Sequence, residues 1–516
     1  MFCIQEILNL SDSEAIEAYC FNDAVRFAFD LPKNAYMCER TYYYYRSKLM
    51  GQAYEIFDSI LNNIIEKLNI DLSIQRTDST LVKTALKNMS KLELFKTTIQ
   101  KFLTELQKTH KRIYSRIDTE LRNRYLPEDE NNHWFASCKP TEYGNKLIQM
   151  AKDILNLIEM FKEHKKVNQL ESFHLLHRLA KEQITVDGED VKIGVTLEKK
   201  GEALVNPHDP DAQYNGYYQQ TGYKLNIMET CSMSKDIPNP KLITQVEVAK
   251  ADVLDQKLLH TSIEKLANKQ IQPEITLADN GYDSEANRQK LEQQGIKLVS
   301  PPAGEAPEGF GLMDFKVSQD GKELLECPLG NKCLKNKIKP SESKTKSYFD
   351  KQTCEQCNHL EGCPVKLSKR RAVISWQWHQ PNLETRRRMF SEDQETISLY
   401  KQRSGIESTF SHLKNKFGLA KTSRRGYLQN TFQIILSVIG LNIHRAYKWL
   451  LRYGGFCQFS KNSFKNREIT PELGTLSVFL TLLQHICIMF CCFYQKLCCF
   501  YQKQKTKPKF SLTLNS

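Results

Sequence analysis

The sequence predicts an α/β fold, and three observations predict it. The run "PEITLADNGYDSEANRQKLEQQGIKLVSP" reads as strand, tight turn, helix, glycine break and strand. Such a β-α-β unit needs helices over both faces of its sheet. Two strand-like runs, "YKLNIMET" and "LITQVEVAK", are parted by the Pro-containing loop "KDIPNP", which suits neighbouring strands. The composition, 40% hydrophobic and 26% charged over 516 residues, is that of a globular chain long enough for two to four domains.

Taken in order, residues 1–70 read as a helical, DNA-contacting domain. "SDSEAIEAY" opens with Ser11 and carries Glu14 three positions on, a capping-box pattern. "ERTYYYYRSKLMGQAYEIFDSILNNIIEKL" continues as one long helical pattern mixing basic and aromatic residues. The short strand "LSIQRTDST" follows, with Asp78 expected at its end. From about 84 to 180, "LELFKTTIQKFLTELQKTH" and "YGNKLIQMAKDILNLIEMFKEH" repeat apolar residues at helical spacing, a helical insertion. After the two paired strands comes the helix "LDQKLLHTSIEKLANK", and then the β-α-β unit. Asp279 stands where its first strand stops, the place where active groups gather in α/β sheets. Asp also favours turns and caps, so neither Asp78 nor Asp279 is informative by itself.

The segment "YKQRSGIESTFSHLKNKFGL" adds a third carboxylate. Tyr400, Arg403, Glu407 and Lys414 fall within an arc of about 60° on a helix. Arg403 and Glu407 could be ordinary i, i+4 surface decoration. Yet Phe410 and Leu413 flank the stripe, and Glu407 is the only acid between 396 and 425, amid Lys416, Lys421, Arg424 and Arg425. A lone carboxylate in a basic field suits a metal ligand working on a polyanion. The net charge of +13 also favours an acidic partner, most commonly nucleic acid. Three acids can hold Mg2+ or a similar hard cation, two of which activate an attacking oxygen and steady the leaving one. Asp209 and Asp211, in "HDPDA", compete for a ligand role but read as loop residues.

"TDST" at Asp78, "LADNGYDSE" at Asp279 and the complete Y-(2)-R-(3)-E-(6)-K pattern together resemble the DDE transposases of bacterial insertion sequences. "QRTDSTLVKTALKNMSKLELF", "NPHDPDAQYNGYYQQTGYKLNIMET" and "SRRGYLQNTFQIILSVIGLNIHRAY" resemble further segments of that family in the same order, so the resemblance spans most of residues 1–450. It implies a ribonuclease-H-like catalytic core over 71–455 that cuts transposon ends and joins them to target DNA. Asp78, Asp279 and Glu407 would bind Mg2+ or Mn2+, and Tyr400, Arg403 and Lys414 would contact DNA phosphates. A homodimer on the DNA ends and a cytoplasmic, nucleoid-associated location are implied too. The alternatives are an inactive element remnant that only binds DNA, or a ribonuclease-H-like nuclease of another pathway.

Cys327, Cys333, Cys354, Cys357 and Cys363 crowd a Lys-rich insertion at about 322–370, poor in large apolar residues. Their spacing suits a structural Zn2+ site drawing on a subset of them, with His359 nearby; free thiols are the alternative. One subgroup of the family carries a similar Cys-containing insertion. The sixteen cysteines are spread unlike a secreted disulfide framework, and the start, acidic and without a basic n-region, is not that of a signal peptide. Residues 456–516 read as a divergent tail, packed or disordered. Its apolar run "LSVFLTLLQHICIMFCCFY" nears the length of a membrane span but is interrupted by Gln484 and His485. Its tandem "CCFYQK" repeat is too short to establish a coiled coil. The family also has more residues ahead of "LNLSDSEA", and both ends favour the remnant among the alternatives.

Overall fold

A computed structural model describes residues 1–86, 88–127, 134, 139, 141–188, 190–194, 203–233, 238–422 and 424–453. The tail, with its apolar run and repeat, lies outside the described residues. No helix among the described residues is long and apolar enough to cross a membrane.

The centre is a seven-stranded mixed sheet of β1 (Ile74–Thr84), β2 (Gln213–Asn215), β3 (Gln220–Thr230), β4 (Ile243–Lys250), β5 (Ile275–Leu277), β6 (Lys297–Val299) and β7 (Lys421–Thr422). β3 runs antiparallel to β1, β2 and β4, whereas β5, β6 and β7 join in parallel. The β-α-β unit therefore forms as its sequence predicts, with helix Glu285–Glu292 between β5 and β6. β1 is longer than expected: Asp78 lies in its middle, opposite Ile227, rather than at its end. The polar run "RTDST" hides this extension, because its alternate side chains all find partners in the surrounding elements.

β4 is an edge strand, and its outward backbone is blunted by side chains. The Val248 amide meets the Tyr54 hydroxyl, its carbonyl accepts from Tyr427, and Asn442 bonds both backbone groups of Ile243. Helix Asp255–Asn268 covers one face of the sheet, and helices Gly405–Lys416 and Tyr427–Tyr453 cover the other.

Ser11 and Glu14 form the expected capping box. The run 39–68 breaks into Glu39–Met50 and Ala53–Leu68 around Gly51, a residue that weakens a helix interior. Residues 1–70 do not pack as a body apart. Ala53, Phe57 and Leu61 sit in the same apolar core as Leu225, Ile263, Phe410 and Ile439. The helical insertion has its own core, built by helices Lys91–Thr109, Tyr143–Phe161 and Glu171–Gln183. It runs past 180 into the hairpin Ile184–Asp187 and Asp190–Ile193. The Cys-rich insertion also extends beyond 322–370, as a four-stranded sheet within Lys335–Gln377 beside the hairpin Lys316–Val317 and Leu324–Glu326. Its core includes Leu312, Phe315, Ile374 and Trp376, which the narrower boundaries left out.

Candidate active site

Side chains of a strand alternate between its faces, so Arg76, Asp78 and Thr80 share one face of β1. β5 pairs with β1 only at 74–76 and β7 only at 83–84, which leaves the edge between them without a neighbouring strand. The segment from Gln402 to Lys414 lies across this gap. The Arg76 guanidinium donates to the Gln402 carbonyl, Arg403 to Asp78 Oδ2 at 2.8 Å, and Lys414 Nζ to Thr80 Oγ1 at 2.5 Å. Gly405 permits the approach, since a Cβ there would overlap the Arg76 guanidinium.

The stripe is not a single helix. Helix Gln394–Lys401 passes through one 3-10 turn, Gln402–Ser404, into helix Gly405–Lys416. Phe410 and Leu413 are buried beneath it as expected. Asp279 caps the short turn Asn280–Tyr282, its Oδ1 accepting from the Gly281 amide at 2.9 Å.

The carboxylates of Asp78, Asp279 and Glu407 converge on one cation. Arg403 lies 2.8 Å from Asp78 and 3.8 Å from Asp279 through Nη2, and 3.7 Å from Glu407 through Nη1. Residues more than three hundred positions apart thus meet around a single guanidinium. The Asp78 and Arg403 side chains are each 17% exposed, whereas Glu407 is 71% exposed. Burial lifts the Asp78 carboxyl to about 6; Asp279 and Asp255 add to the rise, while Arg403 and the Ser79 amide oppose it.

Tyr400 and Lys414 of the stripe are partly exposed. Tyr400 is half-buried with its ring 5.4 Å from that of Phe390. Lys414 is also half-buried, and burial pulls its ammonium below the usual lysine range. Arg424 is taken up by Asp12 at 2.7 Å. Asp209 is fully buried, and its Oδ1 accepts from the Tyr223 hydroxyl at 2.6 Å.

Three features around the site went unread in the sequence. Asp255 accepts from Ser79 at 2.7 Å and from Lys224 at 3.2 Å, bringing a fourth carboxylate whose charge bears on Asp78. Acids open many helices, so nothing marked it. Tyr218, in the turn before β3, feels the charges of Asp78, Asp255 and Asp279. Its exposed neighbour Tyr217 was the available signal, an aromatic pair in a tight turn with nothing to bury against. Glu229, fully buried at the end of β3, pairs with Arg76 at 2.6 Å and Arg445 at 2.8 Å, and accepts from Thr409 at 2.7 Å. This hub ties β1, β3 and both covering helices together behind Glu407.

Three carboxylates around one positive charge suit a hard divalent cation in donor type and in charge. Among the described residues no three His, Cys, Asp or Glu side chains already form a ligand cluster; Asp78, Asp279 and Glu407 share Arg403 instead. In the Cys-rich insertion, Cys327, Cys354, Cys357 and Cys363 line one cavity, and Cys333 does not.

Residues 326–447 match a family model described as a transposase DDE domain. No curated protein matches the chain. A solved structure of the piggyBac transposase synaptic complex with hairpin DNA aligns at 10% identity and a TM-score of 0.25, covering 99% of this chain and 82% of that one. That score is too low to bear on the fold.

Proposed function

We propose that the chain is a DDE transposase that cleaves DNA at transposon ends and transfers the freed ends to target DNA. The match of residues 326–447 to a transposase DDE domain is the premise, and it includes Tyr400, Arg403, Glu407 and Lys414. The observation that carries the reading is the convergence of Asp78, Asp279 and Glu407 on Arg403. The mixed sheet with β3 as its antiparallel member, and the acids on its central strand and just past its parallel neighbour, support a ribonuclease-H-like core.

In this reading Asp78, Asp279 and Glu407 would hold Mg2+ or Mn2+. When bound, such ions supply Lewis acidity to the scissile phosphate and an activated water or 3'-hydroxyl. A ligand carboxylate must be ionised, and with its carboxyl raised to about 6 Asp78 would meet that condition mainly above that pH. Arg403, whose planar fork is well matched to a phosphate, would be the residue that pairs with the DNA backbone beside the carboxylates. Lys414 supplies a second positive charge above Thr80, and Tyr400 shapes the wall with Phe390. The basic balance of the chain draws the duplex in. The protein would act as a homodimer on paired DNA ends, in the cytoplasm with the nucleoid.

The test is Mg2+-dependent cleavage of DNA carrying the ends of the element that encodes the chain. Asp78→Ala, Asp279→Ala and Glu407→Ala should each lower cleavage by roughly a hundredfold or more. End binding should persist, since removing negative charge does not weaken attachment to phosphate. A variant cleaving within about tenfold of the parent removes its residue from the triad. Binding without any cleavage by the parent chain would leave the inactive-remnant reading instead.

A further inference from the structure

The five clustered cysteines and His359 are too many ligands for one tetrahedral ion, and the tertiary structure separates them. Cys327 follows strand Leu324–Glu326, and Cys354 and Cys357 lie on and just after helix Lys351–Glu355. Cys363 precedes strand Lys366–Leu367. These four line a cavity of about 30 Å³, walled by Phe310, Phe349, Leu360 and Val365. The space takes a single ion or water.

The two remaining candidates face elsewhere. Cys333 Sγ donates to the carbonyls of Lys335 and Tyr348, both at 3.5 Å, and is not among the cavity's lining residues. His359 sets its ring 5.2 Å from that of Phe310, tilted by 56°, and lines a separate cleft with Asp314 and Arg388. From this geometry we infer that the insertion carries a structural Zn2+ site made by Cys327, Cys354, Cys357 and Cys363, with Cys333 and His359 excluded.

The local backbone suits the role. The Cys327 carbonyl accepts from the Gly330 amide at 2.9 Å, and Gly330 adopts a φ of 82°, which closes a tight turn on the first thiol. The Cys357 amide donates to the Cys354 carbonyl, which brings the second and third to one side. The module also needs a staple, because its core holds only eight buried apolar side chains. The four thiols are not yet gathered into a ligand cluster. Binding would draw them inward across the cavity, each giving up its proton.

The inference does not rest on the transposase reading. Full-length protein purified without chelator should contain one zinc per chain. Its four thiols should resist a thiol-specific reagent until the metal is stripped. Exchange with Co2+ should give the intense charge-transfer absorption of a four-thiolate site. Cys333→Ser should keep the metal and that spectrum, whereas Cys357→Ser should lose most of it. Zinc content near zero with all four thiols reactive, a disulfide among them, or metal loss in Cys333→Ser would each overturn the assignment. None of these readouts uses DNA or activity.

Discussion

Arg403 is the residue on which the site turns. The sequence placed it on a stripe facing phosphate, but without DNA it faces three carboxylates, since neighbouring carboxylates attract the nearest cation. An internal guanidinium must then compete with any divalent cation for the same oxygens. Arg403→Ala should therefore tighten Mn2+ binding by the DNA-free chain by roughly tenfold, about 1.4 kcal/mol. Calorimetric or paramagnetic-resonance titration measures it, and an unchanged affinity would show that the contacts with Arg403 do not oppose loading. Addition of end DNA should produce a similar gain in the parent chain and little in the variant, since coupling between two ligands is reciprocal.

At the scale of elements, helix Phe2–Leu8 is held to the long helix Tyr427–Tyr453 partly through Glu6. Gln433 donates to its carboxyl at 3.3 Å, but burial dominates and raises that carboxyl from 4.5 to about 7. Below 4.5 both folded and unfolded chains keep Glu6 protonated, so it has no effect there. As pH rises toward 7 the unfolded chain ionises first, and stability falls by roughly 2–3 kcal/mol. Glu6→Gln, neutral at every pH, should raise the melting temperature at pH 8 and leave it nearly unchanged at pH 4. Equal shifts at the two pH values would mean that ionisation is not the cause. The sequence offered no hint of this, because a glutamate two positions ahead of its helix end looks solvated until another helix covers it.

For the whole molecule, the shared core sets what can be separated. Phe57 and Leu61 are each 1% exposed among residues of the sheet, the site helix and the C-terminal helix. Losing such side chains costs about 2–5 kcal/mol each, against a typical total stability of about 5–15 kcal/mol. A chain beginning at residue 71 should therefore lack a cooperative melting transition by circular dichroism. One within a few degrees of the full chain would restore an independent N-terminal domain. Much was legible in the sequence: the α/β class, the β-α-β unit with Asp279 just past its first strand, the helical character of the stretch after β1, and the capping box at Ser11. These are signals of local periodicity, turn chemistry and spacing, which neighbours along the chain determine by themselves. Only the tertiary structure decided that Asp78 lies mid-strand, that Arg403 turns inward, that Glu229 braces the helix behind Glu407, and that four of five cysteines share a cavity. Each of those depends on burial and on partners up to some 330 positions away, and neither is written in any local pattern.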